Sequence, residues 1–474
     1  MKICPYCKQS IEDDHLYCPN CNKPLISNLG KAANRNIRSG FGEPEFYPAE
    51  TEEEDDYYED TIIKDEKIEH EIQKIDDVLE RKEILGDPIP GSILLEKSSL
   101  YYKKRDLPNA IKNLELALRN FEKEDDLFNV AICHNEIGLI QEDTGFFDQA
   151  IYHFNRSLEI LKEVNDNQKL IKVLNNLGNI YYSIKDLEQS YKYYQEALDL
   201  SKREKLMYEE VKTSTNLVEV LYLLEEYERI KRILARNSEF FTQNEDAYGM
   251  IQVHIKFGKL YYLIGEDYDQ ANERLNSALQ LIDRVSENLS VYMKAKLEWE
   301  CFLYLGKLYL LWDNLVDGES NFLKSLEAVR IFEIGESINQ GDILESLAEL
   351  YTIKGEMDKT IEYYILSCEI YHKFGDNKKC AQIKFKIGKM YLEYEKDKSN
   401  SIKYFEEALD LYEDLQYIKE AAEVLHKLGD LYIAIRMPDI AIENFEKARD
   451  YYKELLDDYN FGLIDEKIRS LHNV

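Results

Sequence analysis

Four cysteines crowd the first 21 residues: Cys4, Cys7, Cys18 and Cys21. They read Cys-Pro-Tyr-Cys, ten intervening residues, then Cys-Pro-Asn-Cys. Each Cys-x-x-Cys pair can set two thiolates on one face of a tight turn. Four such sulfurs are the donor set of a closed tetrahedral zinc site, and thiolates accept iron as well. The segment is too short to bury a core, so a bound ion would supply its folding free energy. A disulfide pair is the competing reading. The paired-knuckle spacing and an N-terminus without an apolar signal-type segment favour metal. A closed four-thiolate site leaves no open coordination position, so its expected role is structural: one zinc ion and no chemistry. His15, between the pairs, is expected to be solvated. Cys133, Cys301, Cys368 and Cys380 are scattered and are expected to be reduced, buried, small apolar residues.

No other cluster of residues has catalytic spacing. The Gly-Lys pairs at Gly258, Gly306 and Gly388 lack the upstream glycine and the following Ser or Thr of a phosphate loop. Gly40-Phe41-Gly42 lacks a third glycine, and His70-Glu71 lacks the second histidine of a zinc hydrolase. The chain is therefore expected not to be an enzyme.

With Lys plus Arg at 60 and Asp plus Glu at 92, the net charge is -32 over 474 residues. Such a charge repels nucleic acid and anionic membranes. No apolar run approaches the length of a membrane span, and a cytoplasmic location is expected. The N-terminal segment with its tail is mildly basic, so contact of that part with nucleic acid stays open.

The pattern that positions everything else is a repeat. One frame position is filled by Ser98, Gly138, Gly178, Val218, Gly258, Gly306, Ala348, Gly388 and Gly429. The first five are each 40 residues apart, and the later intervals are 48, 42, 40 and 41. Tyr101, Tyr181, Tyr261, Tyr309, Tyr351, Tyr391 and Tyr432 follow three residues on. A period of this length signals stacked supersecondary units. Small residues recur later in each unit, as in Gly178 with Ser190 and Ala197. They are expected to let two antiparallel helices approach, with Gly178 facing Ser190 and Ala197. Lys185-Asp186, Lys354-Gly355 and Met437-Pro438-Asp439 mark the turns between them. The fourth unit, with Val218 and Ile230, is weak, and about six extra residues fall near 283–290.

The frame Leu-Gly-x-x-Tyr, Ala, Phe, Ala resembles the tetratricopeptide repeat, in the longer form of about 40 residues seen in kinesin light chain. Residues 3 to 25 resemble the small Cys-Pro-x-Cys zinc ribbons, with Lys8 and Asn22 where glycine is usual. These resemblances imply an all-α, right-handed superhelical solenoid of antiparallel helix pairs. The expected organisation is a zinc ribbon at 1–26 and an acidic flexible linker at 27–61. An amphipathic helix at 62–86 carries Ile68, Ile72, Ile75 and Leu79 on one face. Nine units at 91–456 and a closing helix at 462–474 complete the chain.

The tetratricopeptide resemblance also implies a binding face lined by the first helices. The inward positions lie two before and one after the glycine. They hold Asn176 and Asn179, Asn216, Lys256 and Lys259, Lys307, then Lys386 and Lys389. Asn179, Asn216 and Lys256 partly match the family's carboxylate clamp, although Asn175 and Gln252 stand where it has lysines. The expected role is a scaffold that holds a peptide or helix of a protein partner. The inward lysines suggest an acidic partner, with the chain's own residues 43–60, ten of them carboxylates, as an internal competitor. The alternative role is a nucleic-acid- or transcription-associated regulator that uses the ribbon, with the array as sensor of a partner.

Overall fold

The computed structural model describes residues 53–472 except residue 334, with side chains from residue 67 onward except at 288 and 395, and two short strands. The strands, β1 (Lys2–Ile3) and β2 (Ser10–Ile11), pair antiparallel, Lys2 opposite Ile11 and Ile3 opposite Ser10. The four N-terminal cysteines and most of the expected linker lie outside the described residues.

The chain forms two compact bodies, residues 1–166 and 167–474. The first body contains α1 (Glu53–Leu85), α2 (Gly91–Lys103), α3 (Leu107–Lys123), α4 (Leu127–Asp143) and α5 (Phe147–Val164). The pairs α2/α3 and α4/α5 are repeats one and two. Helix α1 starts at Glu53, nine residues before the expected boundary, so residues 53–61 are helical and not flexible linker. A carboxylate-rich start suits the positive end of a helix dipole, which the apolar pattern does not register. On α1, Ile72 is buried, and Lys97 and Lys104 of α2 and its C-terminal turn bond Asp76 and Glu69.

The second body holds repeats three to nine. They are α6 (Asn167–Ser183) with α7 (Leu187–Arg203), α8 (Met207–Leu223) with α9 (Tyr227–Gln243), and α10 (Ala247–Ile264) with α11 (Tyr268–Val285). Next come α12 (Val291–Leu311) with α13 (Leu315–Phe332), and α14 (Ile338–Lys354) with α15 (Met357–Lys373). The last pairs are α16 (Asn377–Met390) with α17 (Lys398–Asp414), and α18 (Ile418–Ala434) with α19 (Pro438–Glu454). Helix α20 (Asp458–His472) closes the stack, burying Ile464 and Ile468. The extra residues between repeats five and six form a 3₁₀ turn (Ser286–Asn288) and lengthen α12.

Local chemistry explains why the pairs fold back. The first helix of repeat three ends in a left-handed residue, Lys185 (φ 66°), succeeded by Asp186, whose carboxylate accepts the backbone N–H of Gln189. The same Asp cap starts helices at Asp106, Asp126, Asp246, Asp267 and Asp376. Each fills one of the donors that a helix start leaves unpaired.

The packing inside each pair places Ser190 against Gly178 as expected and adds an aromatic ring to the small-on-small contact. Gly178 lies under the ring of Tyr194; a methyl group there would sit 2.6 Å from it. Gly138 meets Phe154, Gly306 meets Phe322, and Gly388 meets Phe405 in the same way. Glycine is required because the second helix inserts an aromatic ring, and interior packing leaves no slack. Ser190 contributes differently, donating its hydroxyl to the Gly178 carbonyl at 2.7 Å. Repeat four has exchanged sizes: Val218 and Leu234 share one core, both fully buried, and Ile230 is buried with them. In repeat eight one residue more separates glycine from serine. The chain absorbs it as a π turn at Tyr391–Glu395, and Ser401 still reaches the Gly388 carbonyl at 2.8 Å.

The cysteines also depart from expectation. Cys133 and Cys301 are free and buried, but Cys368 of α15 and Cys380 of α16 are joined as a disulfide. Packing of α16 on α15 across a tight turn brings the two Cα atoms to 4.6 Å, within disulfide reach.

Candidate ligand groove

In the second body the first helices of successive repeats touch one another: α6 with α8, α8 with α10, α10 with α12, and α12 with α14. They make one wall, the inner face of the stack. Burial raises the pKa of Tyr182 on this wall, and the Glu219 carboxylate adds to it.

The centre of the wall is an ionic cluster. Glu219 of α8 takes Lys256 and, at 2.9 Å, Lys259, both of α10. Lys259 also reaches Glu300 of α12 at 3.1 Å, so one ammonium joins three repeats. Burial opposes charge here, yet the two lysines hold Glu219 down at about 2. In return Glu219 and Glu300 outweigh burial at Lys259 and raise its pKa well above the usual lysine value. Tyrosine rings pack round this cation: it stands 4.7 Å from the Tyr222 ring centre and 6.0 Å from that of Tyr304. The Tyr222 hydroxyl donates to the Lys256 carbonyl, and Tyr262 meets Tyr304 edge-on at 5.3 Å.

Further along, Lys386 of α16 lies 3.1 Å from both Glu345 and Glu349 of α14. Lys379 pairs with Asp342 and reaches Glu345 at 3.8 Å. The expectation of a free positive groove is therefore corrected. Lys256, Lys259 and Lys386 are neutralised by carboxylates of neighbouring repeats, and the acidic residues 53–60 belong to α1. Glu300, Asp342 and Glu345 stand six and three residues before the frame position, on rows that the expected inward positions did not include.

Lys307 differs. Among the described residues it has no hydrogen bond and no ion pair, and its ammonium stands 5.3 Å from the Tyr304 ring centre. Burial lowers its pKa, which Asp342, Glu349 and Glu345 partly offset from longer range. Lys389 lies over Phe385 at 4.3 Å. Asn176, Asn179 and Asn216 are half-buried on the same wall, and the Asn179 side-chain carbonyl accepts the Tyr194 hydroxyl at 2.6 Å. The sequence reading missed the row four after the glycine, Tyr182, Tyr222 and Tyr262, although its 40-residue period was visible.

Comparison with known proteins agrees with this architecture. The family description "Tetratricopeptide repeat" matches residues 91–163 and again residues 171–203. That for "Soluble NSF attachment protein, SNAP" matches residues 319–457. No curated protein sequence matches the chain. Among solved structures, a STAND signal-transduction ATPase with a tetratricopeptide repeat sensor from Pyrococcus horikoshii is similar, with TM-score 0.52 and 15% identity. That match covers 79% of this chain and 55% of the other, so the chain spans little more than half that protein's length. The quorum sensor NprR from B. thuringiensis, in its apo form, matches with TM-score 0.48 and 14% identity, covering 74% and 98%. Rap protein complexed with competence and sporulation factor matches with TM-score 0.45 and 16% identity, covering 77% and 99%. The described helices thus form an all-α array of helix pairs, and the tetratricopeptide description matches it over residues 91–163 and 171–203.

Proposed function

We propose that the second body is a binding scaffold that receives a segment of a partner protein along its inner wall. The observation that carries this is the continuous contact of the first helices from α6 to α14, which aligns one set of side chains from repeat to repeat. Such a wall offers recognition over tens of ångströms without any catalytic constellation. Its tight ion pairs fix the wall's shape in advance, which lowers the ordering cost of binding. The test uses a photo-crosslinking residue in the full chain, in cells that express it. Adducts are expected from Asn216 and Lys389 on the wall and not from the exposed second-helix positions Lys192 and Glu273. Equal labelling from both sets would end this reading.

The N-terminal cysteines carry a separate proposal: Cys4, Cys7, Cys18 and Cys21 hold one structural zinc ion. Support comes from the donor set and from the pairing of β1 with β2, between which the chain carries Cys4 and Cys7. Elemental analysis of the full chain is expected to give close to one zinc, and Cys18→Ser to lose it.

A further inference from the structure

Five residues after the frame position, four successive repeats carry an exposed aliphatic side chain. Leu223 is 48% exposed, Leu263 40%, Leu311 52% and Ile353 54%. A single exposed leucine means little. Here the same frame position recurs in α8, α10, α12 and α14, whose contacts place these residues side by side along the stack. Each lies one helical turn beyond Glu219, Lys259, Lys307 or Glu349, so the stripe borders the ionic floor on the same face of each helix.

Spacing decides what form of chain fits it. Packed helices lie about 8–10 Å apart. Two turns of an α-helix advance about 11 Å, so a helix laid across the wall presents every seventh residue to successive stripe positions. An extended strand advances about 3.3 Å per residue with alternating faces, so every third residue would meet the stripe from opposite sides. The charge next to the stripe is selective. Glu219 and Lys259 are committed to each other, whereas Lys307, one turn before Leu311, has no carboxylate in ion-pair range among the described residues. Beside it the Tyr304 ring, itself buried in the core, stands 5.3 Å from the ammonium, and half-buried Tyr262 meets that ring edge-on.

We infer that this face docks an amphipathic α-helix of a partner protein, about 20 residues long, with apolar side chains at every seventh position and a carboxylate facing Lys307. This rests on the scaffold reading above and specifies its ligand. The apolar row would cover Leu223, Leu263, Leu311 and Ile353, and the single acid would give the buried ammonium its missing partner and fix the register.

The experiment selects helical peptides of about 25 residues, displayed with random faces, against the full chain. Enriched sequences are expected to share apolar residues seven apart with an acid flanking the third. Leu263→Lys and Leu311→Lys, both on exposed positions and checked for unchanged thermal unfolding, are expected to weaken the selected peptides about tenfold or more. Selection against Lys307→Glu is expected to replace the acid by Lys or Arg. Enriched peptides that label a crosslinker at Asn216 yet ignore all three substitutions would overturn this inference and leave the scaffold reading standing. Peptides that bind without touching the wall would overturn both. Failure to enrich any helix over the unselected library would overturn the docking of a helix here.

Discussion

Two buried polar clusters, one in each body, solve the same problem in opposite ways. In the first body His134 of α4 and His153 of α5 face each other with Nδ1 atoms 2.8 Å apart. Burial pushes both down to about 4, with Arg156 adding to it at His134 and His134 adding to it at His153. The pair is therefore neutral, one ring donating and the other accepting. In the second body Glu219, Lys256, Lys259 and Glu300 stay charged by mutual pairing. A group that can shed its charge at modest cost does so on burial, whereas lysine and glutamate together keep theirs when geometry supplies the opposite sign. The consequence is a difference in acid response and in tolerance to substitution.

The largest expected effect breaks the ionic cluster. Glu219→Gln leaves Lys256 without its carboxylate and Lys259 with Glu300 alone, and should cost about 3 kcal/mol. Chemical denaturation measures the loss. Hydrogen exchange should rise in α8, α10 and α12 and stay unchanged in α4 and α5.

Acid should then separate the two bodies. The folded pKa of His134 and His153, about 4, lies below the ordinary 6.5. Their contribution is thus complete above pH 6.5 and lost as pH falls from there towards 4. Glu219, about 2 against an ordinary 4.5, contributes fully above 4.5 and loses its contribution only between 4.5 and 2. Exchange measured on a pH series should show α4 and α5 loosening first. Simultaneous loosening of α4 and α8 would erase the distinction.

A smaller effect isolates the histidines. His153→Phe removes the protonatable partner and fills similar space, at a cost of about 1 kcal/mol at neutral pH. It should flatten the decline of α4 and α5 protection between pH 6.5 and 4. Retention of the full acid slope would assign that slope to other groups.

The smallest effect sharpens the ionic side of the comparison. Lys307 occupies the frame position of Lys259 one repeat later but lacks its carboxylates. Lys307→Met should change stability by less than about 0.5 kcal/mol, because the lost charge was unpaired and the stem remains apolar. A loss comparable with that of Glu219→Gln would mean that Lys307 is held by the fold.

Much of the fold was legible because helical repeats write their period into the chain. The spacing from Ser98 to Gly429, and turns such as Lys185-Asp186, announced nine helix pairs. The early start of α1 was not legible because an acidic run has no apolar period; its helix propagates backwards from the apolar stretch that begins near Ile62. At the groove, the partners of the expected inward lysines were not legible. Lys259 meets Glu219 and Glu300 at separations of 40 and 41 residues, through the stacking of three repeats.

By itself, then, the sequence determined the unit, its length and the small residue within it, since all of these depend on helical period and local caps. Only the tertiary structure decided that the small residue lies under an aromatic ring, Tyr194 or Phe154, as well as against the serine hydroxyl. It alone joined Cys368 to Cys380 and separated a neutralised Lys259 from a Lys307 with no ion pair among the described residues. The reason is one of range. Periodicity is a property of neighbours in the chain, whereas pairing of charges and thiols depends on side chains brought within a few ångströms by packing of different helices.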